Sequence, residues 1–163
     1  MISRLKEYEK KERYLASILF NNMKGIKEYS FTEGHICYDF IVTTETDKII
    51  IGEIKVRNNN IDKYPDYILQ VDKLHNLIKR AEKYNYDIIY YINFFKTKEK
   101  SQKDFIIFNL SERIKIWYKT KPKIHSMLMN AETFRSNKIK VYKDVILLKY
   151  DEKIDAKGNL SLN

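Results

Sequence analysis

One cysteine, two prolines and four glycines are all that this 163-residue chain holds of the residues that staple or punctuate small folds. Lone Cys37 excludes an intramolecular disulfide and any multi-cysteine zinc site, and it suits a reducing compartment. Its expected place is a strand, as a small buried hydrophobe. Long apolar runs are also missing. The N-terminal "MISRLKEYEKKERYLASILFNN" is charged ahead of its apolar part, so a signal peptide is not expected, and no later stretch is long enough to cross a membrane. Acidic residues are in deficit, 22 against 31 basic ones, and the net charge of +9 suits a polyanionic partner such as nucleic acid.

Eight Phe and thirteen Tyr in a chain that is 44% apolar supply enough core for one compact α/β unit, and the length argues against two. Residues 1–150 are expected to form that unit, with "DEKIDAKGNLSLN" (151–163) as a frayed tail. Leu5, Tyr8, Leu15, Ile18 and Leu19 recur at helical spacing and predict a first helix from about Ser3 to Asn22. Residues 35–43 and 48–57 read as strands around the turn "TETD", and a further strand in "GIKEYSFTE" is left open. "RNNNIDKYPD" reads as a loop. Tyr67 to about Asn85 carries a second helical pattern, and "YDIIYYINFF" reads as a strand covered on both faces. Strand, helix and strand imply a parallel crossover. "DFIIFNL" and "KVYKDVILLKY" are expected as strands, "RIKIWYK" as another, and "IHSMLMNAETF" as a short helix.

The chemistry concentrates in "YDFIVTTETDKIIIGEIKVR", residues 38–57. Alternation puts Glu53 and Lys55 on one strand face. A hairpin centred on Thr46 sets Ile41 opposite Ile51 and Asp39 opposite Glu53. Two carboxylates opposed across a sheet repel each other unless a cation lies between them. Magnesium, a hard ion, accepts such oxygens, keeps several waters and can add a backbone carbonyl, here that of Ile54. Lys55 is then placed to orient a water or to stabilise charge growing on a phosphoryl oxygen. A solvent-facing ion cluster is the plainer alternative for the three side chains. His35, His75 and His125 lack the spacing of a metal motif and read as surface or core histidines.

Asp39, thirteen intervening residues and then Glu53-Ile54-Lys55, between one helix and another, resembles the PD-(D/E)XK nuclease superfamily. Within it, the chain is most similar to archaeal-type Holliday junction resolvases and to small phage-encoded nucleases. The resemblance covers roughly residues 5–95. Tyr38 stands where the motif's proline would be, and Glu9-Lys10-Lys11 shows how readily the tripeptide alone arises in a charged chain.

The resemblance implies a restriction-endonuclease-like mixed sheet flanked by helices, with an α-β-β-β-α-β core and C-terminal β additions. It implies a Mg2+-dependent deoxyribonuclease, with Mn2+ as a substitute, acting on DNA, as a homodimer where the substrate is branched. Asp39, Glu53, Ile54 and Glu12 would hold metal, Lys55 would act on water or the transition state, and Gln70 would support the site from the second helix. Arg57, Lys73, Lys115, Lys119 and Lys121 are the expected nucleic-acid contacts. The expected compartment is the cytoplasm, that of a host if the chain is phage-encoded. A restriction- or nicking-type endonuclease, or a catalytically silent nucleic-acid-binding protein of the same fold, are the alternatives.

Overall fold

A computed structural model describes residues 4–34, 36–131 and 139–162. Helix α1 (Arg4–Asn22) precedes three antiparallel strands, β1 (Ile26–Phe31), β2 (Phe40–Thr44) and β3 (Ile49–Asn60). Strand β4 (Tyr67–Gln70) runs directly into α2 (Val71–Tyr84), which crosses over to β5 (Ile88–Lys96), parallel to β3. Then follow β6 (Gln102–Asn109), α3 (Leu110–Lys119), β7 (Ile124–Asn130), β8 (Lys140–Leu148) and β9 (Ala156–Ser161). The main sheet has the order β1-β2-β3-β5-β6-β9, and β4-β8-β7 form a small second sheet. The order α1-β1-β2-β3-α2-β5, with β4 inserted ahead of α2, matches the core that the resemblance implies.

Both faces of the main sheet are buried. Leu15, Leu19 and Phe20 of α1 pack on Phe40, Ile54 and Phe94, while Leu74, Leu77 and Ala81 of α2 pack with Ile51, Ile89 and Tyr91. This double cover is why β5 is apolar almost throughout. Gly52 is required by close approach, since a Cβ there would stand 2.1 Å from the Tyr90 carbonyl oxygen and 2.7 Å from the Phe40 ring.

Several expectations change. The strand left open exists as β1, and β3 runs on into the expected loop as far as Asn60. The second helix starts at Val71, because Tyr67–Gln70 pair with Leu148–Val145 of β8. "RIKIWYK" lies in helix α3: the Asn109 side chain accepts the Glu112 N–H as an N-cap, and Leu110, Ile114 and Trp117 follow helical spacing toward the core. "IHSMLMN" is strand β7, exposed and half-buried by turns along its length, and Glu132 to Phe134 of that expected helix lie outside the described residues. Part of the expected tail is β9, which pairs with β6 and buries Leu160. Its approach is pinned by buried Asp155, which accepts from Arg113 and from the N–H groups of Asn109 and Asp151. Cys37 precedes β2, half-buried, with its sulfur 3.6 Å from the Asn76 carbonyl oxygen.

Candidate active site

The site begins with a gap in a hydrogen-bond ladder. Strand β2 pairs with β3 in the expected register at Ile41 opposite Ile51 and Phe40 opposite Gly52, but the pairing ends there: Asp39 N–H bonds to the Gly52 carbonyl oxygen at 2.8 Å, and the expected pair of Asp39 opposite Glu53 is not formed. Beyond Gly52, β3 continues beside β5 but has no β2 neighbour. Backbone groups alternate sides along a strand, so the N–H groups of Ile54 and Val56 face this open edge. Buried N–H groups need acceptors. Asp39 Oδ2 accepts the Ile54 N–H at 2.7 Å, and the Glu12 carboxylate reaches over from α1 toward the Val56 N–H. The alternation that turns the Ile54 N–H to this edge turns its carbonyl oxygen there as well, between the two acids. A cleft lined by Glu9, Glu12, Arg13, Thr32 and Asp39 opens beside them.

On the α2 face of the same strand, Glu53 is 4% exposed and holds two lysines. Lys55 Nζ lies 2.9 Å from Oε1 and Lys73 Nζ 3.6 Å from Oε2. Arg57, Ile68, Leu69, Gln70, Tyr91 and Met129 complete this second cleft.

Burial sets the electrostatics, and the crowding of acids adds to it. Burial, reinforced by Asp39 and Glu53 and opposed by Lys55, pushes the Glu12 carboxyl up to about 7. Asp39 is raised by burial and then by Glu53, against the Ile54 hydrogen bond that favours its anion. For Lys55, burial disfavours the charge, but Glu53 and Glu12 outweigh it and raise the ammonium above its ordinary value. Lys55 therefore stands as a fixed cation, not as a base.

The donor set suits a hard divalent cation: carboxylate oxygens and a backbone carbonyl at one strand edge, with acids whose mutual repulsion a cation would relieve. Among the described residues, no three His, Cys, Asp or Glu side chains are grouped so as to hold a metal, and the expected set of Asp39, Glu53 and Glu12 does not close on one ion. A cation here would draw on fewer protein carboxylates and on waters, as magnesium favours.

The other expected residues divide. Gln70 caps α2 instead of lying within it, and its Oε1 is 3.5 Å from Lys143 Nζ of β8. Arg57 is bonded inward, its Nε to Asn93 Oδ1 at 2.8 Å and its Nη2 to the Tyr91 hydroxyl at 2.6 Å. Lys115 pairs with Glu112 on α3 at 2.6 Å, Lys119 ends that helix and Lys121 follows it. No described hydrogen bond or ion pair joins these three lysines to the acids. Tyr91, Asn93 and Lys143 escaped the sequence reading. A signal was present for Asn93, an amide inside the apolar run "YYINFF" and here fully buried.

No protein-family model and no curated protein matches this chain. Among solved structures, the chain is similar to Hjc of Archaeoglobus fulgidus, a Holliday junction resolvase from an archaeal hyperthermophile. The two are 13% identical, with 86% of this chain and 85% of the other covered and a TM-score of 0.43.

Proposed function

We propose that this protein is a metal-dependent nuclease that hydrolyses phosphodiester bonds in DNA. The observation that carries the reading is the pair of carboxylates, Asp39 and Glu12, at the open edge of β3 one residue away from buried Glu53 and its half-exposed partner Lys55. A structural ion cluster does not need half-buried acids raised by desolvation and further by one another. Such an arrangement is costly unless a cation or a reaction uses it. The +9 charge fits a nucleic-acid substrate.

Asp39, Glu12 and the Ile54 carbonyl would hold Mg2+, or Mn2+ in its place, with Glu53 joining when it leaves Lys55. The ion would lower the pKa of a bound water and neutralise charge developing on the phosphoryl group. Lys55 keeps its proton beside Glu53 and stabilises the same charge. Lys73 reaches the cleft from α2 and contacts a neighbouring phosphate. Gln70, fixed at the start of α2, orients the attacking water.

Within that class, we favour branched DNA and a homodimer, because one chain of 163 residues is too small to surround a duplex and cut both strands. The test is cleavage of labelled four-way junction, flap, duplex and single strand in Mg2+ or Mn2+. Cleavage that vanishes in Glu53→Ala and Lys55→Ala supports the nuclease, and the ranking of substrates selects among junction, restriction and nicking activities. Binding without cleavage in any metal replaces the reading with that of a nucleic-acid-binding protein.

A further inference from the structure

Arg57 follows Glu53 and Lys55 on the same face of β3, where an exposed arginine would serve a phosphate. It does not face solvent freely. Its Nε donates to Asn93 Oδ1 at 2.8 Å, while its Nη2 donates to the Tyr91 hydroxyl at 2.6 Å and reaches the Ile68 carbonyl oxygen at 3.4 Å. The Tyr91 hydroxyl in turn donates to that same carbonyl at 2.9 Å. Tyr91 and Asn93 are 3% and 0% exposed, so packing fixes both partners, and the bond to Ile68 fixes the Tyr91 hydroxyl as well.

Ile68 lies in β4, whose backbone pairs with β8 in the small sheet and not with the main sheet. Among the described residues, the Arg57 and Tyr91 bonds are the hydrogen bonds that join β4 to β3 and β5. Two residues after Ile68 is Gln70, and one turn further is Lys73, 3.6 Å from Glu53. This clamp adds to the Tyr67 hydroxyl bond on the Ile61 carbonyl oxygen at 2.9 Å, the packing of Tyr67 on Phe95 and the burial of Leu69 in setting the start of α2 against Glu53 and Lys55.

We propose that Arg57, fastened by Tyr91 and Asn93, is a positioning residue that holds Gln70 and Lys73 in place over Glu53 and Lys55, and that it does not contact nucleic acid. A guanidinium suits the task because its planar fork can serve two acceptors in fixed directions, which an ammonium cannot. The inference rests on the nuclease reading for its kinetic part only.

The experiment compares Arg57→Met, Arg57→Lys, Tyr91→Phe and the double variant Arg57→Met/Tyr91→Phe with wild type. Junction binding is measured across a salt series in Ca2+, amide exchange at residues 67–70 by mass spectrometry, and cleavage in Mg2+. Tyr91→Phe removes one hydroxyl and serves as the mild variant should Arg57→Met fold poorly. A positioning role gives faster exchange at 67–70 in each variant, at least a tenfold fall in kcat with KM within about twofold, and no rescue by Arg57→Lys. The salt slope stays that of wild type, and the double variant loses no more than the worse single one. A phosphate contact instead lowers the salt slope by about 1 in Arg57→Met and is restored by Arg57→Lys. Either of those results, or unchanged exchange at 67–70 in Tyr91→Phe, overturns the proposal. Should wild type cleave nothing, the nuclease reading fails alone, because exchange and salt slope still decide the clamp.

Discussion

Lys73 Nζ lies 3.6 Å from Glu53 Oε2, while Lys55 occupies the other oxygen of the same carboxylate. One anion thus faces two cations, and a divalent ion drawing on Glu53 must compete with both. Lys73 is nearly half exposed, so its hold is screened by solvent and is the weaker of the two. Lys73→Met is expected to tighten Mn2+ binding severalfold, on the order of 1 kcal/mol or less. Titration calorimetry checks this, and unchanged or weaker Mn2+ affinity in the variant would place the ion away from Glu53.

Glu12 gives a pH dependence of definite sign. Its folded pKa is raised from 4.5 to about 7, so between these values the folded chain binds more protons than the unfolded one. This group's contribution is most favourable below its unfolded pKa and is lost as pH rises toward 7. In EDTA, Glu12→Gln should therefore raise Tm relative to wild type at pH 8 and lose that advantage near pH 4.5, with roughly 2–4 °C gained per kcal/mol. Divalent cation should narrow the difference at pH 8 by satisfying the carboxylates. A variant less stable than wild type in EDTA at pH 8 would mean that the attraction of Lys55 for the Glu12 charge outweighs the burial of that charge.

The chain was most legible where local pattern and tertiary setting agree. The register of the β2–β3 hairpin, the parallel crossover through α2 and the two-sided burial of β5 follow from alternation, spacing and length. Position 70 shows the opposite case. Tyr67–Gln70 continue the apolar spacing of α2, yet pairing with a strand some 75 residues downstream takes them into β4, and no local signal announces such a partner. Ile114 and Ile116 alternate like a strand, but Asn109 starts a helix just upstream, and the cap decided. In the candidate site, Asp39 and Glu53 were visible because each breaks an apolar pattern, whereas Glu12 lies among charged helix residues and was reached through the resemblance alone. The inward bonds of Arg57 were not, since a basic residue after Lys55 looks the same in sequence whether it meets phosphate or a buried tyrosine.

Gly52 separates the two sides of the site. A methyl group at this position meets the Tyr90 carbonyl oxygen at 2.1 Å, which is backbone and cannot swing aside, and the Phe40 ring at 2.7 Å. Gly52→Ala should cost at least the roughly 1–3 kcal/mol typical of overpacking, read from urea denaturation, and should separate β3 from β5 beside Glu53. A loss below about 0.5 kcal/mol would show that the sheet gives way there without strain.

Asp39 does two things that substitution can separate. It satisfies the buried Ile54 N–H at 2.7 Å, and it brings negative charge to the open edge of β3. Asparagine keeps a carbonyl oxygen for the first task and gives up the charge needed for the second. Asp39→Asn should therefore hold its stability within about 1 kcal/mol of wild type while losing Mg2+-dependent cleavage and most Mn2+ affinity. Asp39→Ala loses both and should be destabilised by about 1–3 kcal/mol, because the N–H is then left without an acceptor. Denaturation, calorimetry and junction cleavage on the two variants check the split. If Asp39→Asn cleaves as wild type does, the carboxylate is there to close the strand edge, and the metal is held elsewhere.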